Sequence, residues 1–117
     1  MIAALLTSRR CQSVLPAATH DDIARMLPLV PAWAVQDGKL QRSFSFKDHY
    51  ETLAFVNALA WVSHAEDHHP ELTVTYNRCV VRYDTHSVNE GKGGLSDNDF
   101  ICAAKVDALY DQRVVRG

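Results

Sequence analysis

The chain is predicted to be an α+β protein, an αββαββα two-layer sandwich with a four-stranded antiparallel sheet and its helices on one face. Three observations carry this. Two turn signals, Asp37-Gly38 and Asn77-Arg78, each join segments in which apolar and polar residues alternate, as in hairpins. Three pairs at capping-box spacing, Thr19 with Asp22, Asp48 with Glu51 and Ser96 with Asp99, each open a run of apolar residues at helical spacing. The resulting order is helix, two strands, helix, two strands, helix, and two hairpins make the sheet antiparallel.

The first helix should cover residues 20–27, with Ile23, Met26 and Leu27 on one side and Pro28 as its stop. A strand at 33–35 follows. Residues 39–46 read as its partner, because Leu40, Phe44 and Phe46 alternate with Gln41, Ser43 and Ser45. A long helix should run over 48–67. Its apolar residues cover more of the circumference than one sheet can bury: Leu53, Val56 and Ala60 form one stripe, and Phe55, Leu59 and Val62 another. The second hairpin pairs Leu72, Val74 and Tyr76 with a return strand over 79–86. Cys79, Val81, Tyr83 and Thr85 share one face of that strand; Val80, Arg82, Asp84 and His86 share the other. Residues 87–94 are a glycine-bearing loop, and a last helix runs from Ser96 to about Tyr110. The domain is therefore expected over residues 19–112, with an extension at 1–18 and a tail at 113–117.

A length of 117 residues suits one domain. Hydrophobic residues at 47% and charged residues at 22% exclude a disordered chain. No apolar run is long enough for a membrane helix. The net charge of -2 argues against a nucleic-acid partner. Ile2–Leu6 precedes Arg9 and Arg10, the reverse of the order in a secretory signal. Cys11, Cys79 and Cys102 are far apart, odd in number and in no CxxC, which predicts reduced thiols in the cytoplasm.

Histidine is the unusual residue. Of six, His64, His68, His69 and His86 fall between positions 64 and 86. His64 and His68 are four apart at the end of the long helix, hence on one face. His69 precedes Pro70, which turns it out of helical geometry. If the hairpin closes at Asn77-Arg78, its return strand brings His86 beside His69 and Pro70. Three readings compete. The histidines can be surface residues favoured by the helix dipole. They can be metal ligands, although Ala65 stands where a zinc protease motif has its Glu. They can be acid–base catalysts, since imidazole gives and takes protons near neutral pH. Asp99 has a plain structural role as the capping partner of Ser96, compatible with a second one. Gly91, Gly93 and Gly94 lack the Lys-Ser/Thr of a phosphate loop.

The run His64-Ala-Glu-Asp-His68-His69-Pro70-Glu71, with Tyr76-Asn77, Thr85-His86, Gly94-Leu95 and Asp99, resembles the pterin-4a-carbinolamine dehydratases. The resemblance takes in Trp33, Phe44-Ser-Phe-Lys-Asp48 and Phe55 upstream, continues through Asp107, and spans roughly residues 20 to 110. It implies the same αββαββα sandwich. It also implies a hydro-lyase that converts a 4a-hydroxytetrahydropterin, the product of aromatic amino-acid hydroxylases, to the quinonoid dihydropterin in tetrahydrobiopterin recycling. By this resemblance His68, His69 and His86 are catalytic, His64, Pro70 and Asp99 bind substrate, and neither metal nor other cofactor takes part. His64 stands where many relatives have Glu, and Leu72 where several have Trp.

Some relatives bind partners and stabilise a transcription factor's dimer. The apolar circumference of the long helix suits that alternative, and it equally suits a homodimer or homotetramer. The intact histidines rank the enzyme first.

Overall fold

A computed structural model of the chain describes residues 6–116, with side chains through residue 112. The apolar residues before Leu6 and the side chains of the 113–117 tail lie outside the described residues. The elements are α1 (His20–Met26), a 3-10 turn (Leu27–Leu29), β1 (Ala34–Gln36), β2 (Lys39–Ser45), α2 (His49–Glu66), β3 (Glu71–Val74), β4 (Arg78–Tyr83) and α3 (Asp97–Arg116). The strands form one antiparallel sheet in the order β1-β2-β4-β3. The predicted α+β sandwich is therefore the observed fold.

Each predicted helix start is present and chemically explicit. Thr19 Oγ1 accepts from Asp22 N–H, and the Asp22 carboxylate accepts from Thr19 N–H. Asp48 Oδ1 accepts from Glu51 N–H, while the Glu51 carboxylate reaches back to Lys47 N–H instead of Asp48. The Asp99 carboxylate accepts from Ser96 N–H, and Ser96 Oγ accepts from Asn98 N–H. These bonds satisfy amides that a helix start leaves without partners. The first hairpin turns at Asp37 and Gly38, whose φ of 54° and 76° suit a tight two-residue loop.

Alternation along the strands builds the core. Leu40, Phe44, Cys79, Val81 and Tyr83 are fully buried under the helices, with Phe55, Leu59, Phe100, Ile101 and Val106 packed on them. The opposite sheet face is polar. There Arg82 donates to Gln41 and Thr73, and Lys39 pairs with Glu71. Arg42 is the exception on the inner face. Its guanidinium, over the rings of Phe44 and Tyr110, pairs with Asp107 at 2.6 Å, and the same Asp107 oxygen accepts from Trp33 Nε1–H. Burial raises the Asp107 carboxyl above its ordinary value, and the bonds from Trp33 and Arg42 act against that rise.

Three expectations shift. The last helix runs on past Tyr110 to Arg116. The second hairpin turns at Tyr76-Asn77, one residue earlier than expected: Val74 faces Cys79, and Thr75 N–H donates to the Arg78 carbonyl. The N-terminal segment packs on the domain. Leu6 is in the core, Ala18 N–H donates to the Leu95 carbonyl, and Gln12 and Asn98 exchange two hydrogen bonds.

Candidate functional site

The end of α2 arranges the histidines. The helix stops at Glu66. Asp67 takes the left-handed conformation (φ 51°, ψ 44°), and both Asp67 and His68 direct their N–H groups to the Ser63 carbonyl. The expectation that His64 and His68 share a helix face fails for that reason: His68 lies beyond the last helical turn. His64 stays on the exposed helix surface beside Trp61, while His68 swings inward.

His68 is anchored from several sides. Its ring stacks on Tyr83 at 5.7 Å and 8°, and its Nε2 is 2.6 Å from Asp99 Oδ1. Asp99 has no exposed surface. Its other oxygen accepts from Thr85 Oγ1 and from Ser96 N–H, both at 2.9 Å. Because the Thr85 hydroxyl proton goes to Asp99, the 2.7 Å contact with Ser96 is a bond donated by Ser96 Oγ. An ionised carboxylate only accepts, so the proton shared with His68 belongs on Nε2 and the lone pair of the neutral ring on Nδ1. Asp99, expected among the substrate-binding residues, is turned wholly to this network. It positions His68 and has no surface left for a ligand.

His69 points the other way. With His64 and Pro70 it rims a groove of about 330 Å³ between α2 and the edge strand β3. Val56, Leu59, Ala60 and Leu72 supply an apolar lining, and Ser63 a hydroxyl. The position of Leu72 leaves this wall aliphatic. The groove thus offers a flat apolar surface with imidazoles at its edge, suited to a planar heterocycle that must gain and lose protons.

His86 takes a third position. The hairpin does return Thr85 to His68, through Asp99. The next side chain, His86, is 85% exposed and lies 3.2 Å from Asp84. It does not line the groove with His69 and Pro70, as the expected hairpin closure would require. Strand parity is the geometric reason: His86 shares the outer face with Val80, Arg82 and Asp84, opposite the buried Cys79, Val81 and Tyr83. The bridge from Thr85 to Gly94 then bends the chain into the loop that follows.

Among the described residues, no three His, Cys, Asp or Glu side chains gather as metal ligands would. Another concavity of about 310 Å³ lies between the N-terminal segment and α3, lined by Arg9, Arg10 and Arg25 among others. Each of these arginines is already paired, with Asp97, Glu66 and Asp22 respectively. Sequence reasoning had placed Tyr83 and Thr85 on the inner face, but not their contacts with His68 and Asp99. It missed Glu66 altogether. This buried carboxylate accepts from Lys105 Nζ and from Cys11 N–H and pairs with Arg10. Nothing short of the fold brings those groups together.

Comparison with known proteins gives a consistent result. The family model described as pterin 4 alpha carbinolamine dehydratase matches residues 16–109. A protein of Bdellovibrio bacteriovorus is 54% identical over 104 residues, covering 89% of this chain and 87% of its own. One of Stenotrophomonas maltophilia is 58% identical over 92 residues, covering 77% and 76%. Both names provisionally assign a pterin-4-alpha-carbinolamine dehydratase. A crystal structure from Brucella melitensis, described as a transcriptional coactivator/pterin dehydratase, superposes with a TM-score of 0.71 at 33% identity, covering 79% of this chain and 96% of that one. A pterin dehydratase-like protein described as a RuBisCO assembly factor in the alpha-carboxysome has a TM-score of 0.57 at 27% identity, covering 68% and 89%.

Proposed function

The chain belongs to the pterin 4 alpha carbinolamine dehydratase family, and from that premise we propose that it dehydrates a 4a-hydroxytetrahydropterin to the quinonoid dihydropterin by metal-free histidine acid–base catalysis. The observation that carries the reading is His69 at the rim of the apolar groove, next to an inward His68 held by Asp99. Loss of the 4a-hydroxyl needs a proton delivered to the leaving oxygen and one removed from a ring nitrogen. His69 is placed to exchange a proton with a molecule lying in the groove. His68 does not itself line the groove; with Nε2 committed to Asp99, its Nδ1 is proposed for the second transfer to a substrate that reaches past the His69 rim. His86 is proposed as a third, solvent-side proton carrier, paired with Asp84 outside the groove. His64 and Pro70 bound the substrate's edge. An aromatic amino-acid hydroxylase would supply the substrate, the quinonoid product would need a two-electron reduction before that enzyme used it again, and the setting would be the cytoplasm. Among the described residues no helix is long and apolar enough to cross a membrane.

The test is the decay of a chemically generated 4a-hydroxytetrahydropterin, followed with and without the protein. Acceleration that persists in EDTA supports the proposal. No acceleration refutes it, and activity lost to EDTA and restored by zinc refutes its metal-free form.

A second reading rests on a different surface. Tyr50 is 81% exposed and Trp61 75%, and Leu53 is also exposed on that side of α2. Two structural neighbours are described as a coactivator and an assembly factor. A partner-binding protein would need this face and not the histidines, so substitution of His69 would leave binding intact while removing catalysis.

A further inference from the structure

The N-terminal segment is fastened to the domain at one point with unusual care. Gln12 N–H donates to Asn98 Oδ1 at 3.0 Å, and Asn98 Nδ2 donates back to the Gln12 carbonyl at 2.8 Å. Cys11 N–H donates to the buried Glu66 at 2.8 Å. Bonds on both sides of Cys11 therefore fix its backbone, and they carry its Sγ to 3.5 Å from Cys102 Sγ. The two thiols are 91 positions apart in the chain and in contact in the fold. A disulfide has an S–S distance of about 2.05 Å, so closure asks for a movement of about 1.5 Å, the scale of a small side-chain rotation.

The two sulfurs are unequal. Cys11 is partly exposed, whereas Cys102 has no exposed surface. The contact with Cys11, burial and nearby acidic groups all raise the Cys102 thiol above its ordinary value. An oxidant from solution therefore meets Cys11 first, and Cys102 is reached only through it. The third thiol, Cys79, is shut in the core, where burial pushes it up to about 11.

We propose that Cys11 and Cys102 are a reversible dithiol–disulfide pair, oxidised by low-molecular-weight disulfides, which bolts the N-terminal segment to α3 one turn beyond Asp99. The Cys11 thiolate attacks one sulfur of the small disulfide; the other sulfur leaves as a thiolate and takes up the Cys11 proton. Cys102 then gives up its proton and attacks the Cys11 sulfur of the mixed disulfide. The second small thiolate leaves and takes that proton. Two protein thiols have lost two electrons and two protons, and one small disulfide has become two thiols. The cross-link restrains the unfolded chain over a long loop, so the oxidised form is the more stable.

The experiment treats the native full-length protein with oxidised glutathione, traps free thiols by alkylation and maps the peptides. The expected product is about 2 Da lighter than the reduced chain. It contains a Cys11–Cys102 cross-linked peptide, and its Cys79 is alkylated only after denaturation. Its Tm should rise by at least about 5 °C and fall back with dithiothreitol. Cys11→Ser should abolish both the cross-link and the rise. Cys102→Ala should stop the reaction at a mixed disulfide on Cys11, about 305 Da heavier. An unchanged wild-type mass, a lasting mixed disulfide on wild-type Cys11, or a cross-link through Cys79 would each overturn the proposal.

Discussion

His69 and His68 are adjacent in sequence and face opposite ways, and this division assigns them different work. His69 rims the groove and is free to meet a ligand; His68 is fixed by Asp99 and Tyr83. His69→Ala should lower turnover by more than about tenfold, the low end of a lost acid–base group. It should leave the unfolding midpoint nearly unchanged, because the side chain is exposed. Steady-state rates and thermal melts check both halves, and near-wild-type turnover would remove His69 from catalysis. Asp99→Asn should act differently. The amide nitrogen would meet donors from His68, Thr85 or Ser96 where the carboxylate accepted, at a cost of about 2 kcal/mol. The positioning role is read from the split between kcat and KM: the variant should lose kcat with KM little changed, and an unaltered kcat with lower stability would leave Asp99 a purely structural residue.

At the scale of elements, the C-terminus of α2 is the junction on which the site depends. Glu66 ends the helix, binds Lys105 of α3 and receives the Cys11 N–H of the N-terminal segment. Burial acts to raise its carboxyl, but the bonds from Lys105 and Cys11, with the charges of Lys105 and Arg10, outweigh burial and hold it below the ordinary 4.5. A carboxylate whose folded-state value is lowered stabilises the fold fully above the unfolded value and loses that contribution as pH falls through the folded one. Glu66→Gln should therefore be less stable than wild type at pH 7, and the gap should close as pH drops below about 4.5. Urea titrations across that range test the sign; a gap that stays constant with pH would show that the charge contributes nothing. The same helix shows how pattern can mislead. Its buried positions are Thr52, Phe55, Leu59, Ser63 and Glu66, while Leu53 and Trp61 face outward. Thr52 tolerates burial because its one hydroxyl proton is shared between the Asp48 and Tyr76 carbonyls. Apolar content alone thus did not identify the inner face.

For the whole molecule, one side remains uncovered. Tyr50, Leu53 and Trp61 of α2 are exposed outside the groove lining, and Val74 on the edge strand is 39% exposed. β3 is also an edge strand, paired with β4 alone among the described residues. Contiguous apolar surface beside an edge strand favours symmetric assembly. The expected outcome is a homodimer or a dimer of dimers, seen by light scattering as a multiple of 13.1 kDa. Leu53→Glu should shift the mass toward the monomer while leaving the core intact. A monomeric wild type at micromolar concentration would refute the assembly.

The sequence by itself determined the order of the elements from α1 to α3, the antiparallel sheet, the starts of α1, α2 and α3 and the inner face of β4. These depend on contacts between near neighbours: a cap reaches three residues, a two-residue turn reverses the chain, and strand parity repeats every second residue. His69 lies outside the helix, as expected for the residue before Pro70. Long-range geometry was decided by the tertiary structure. A left-handed Asp67 separated His64 from His68, the shifted turn changed which β3 residues face β4, and packing of the N-terminal segment brought Cys11 to Cys102. Each of these outcomes is set by how packed elements meet, where a small local rotation redirects a whole side chain, and spacing along the chain does not encode that meeting.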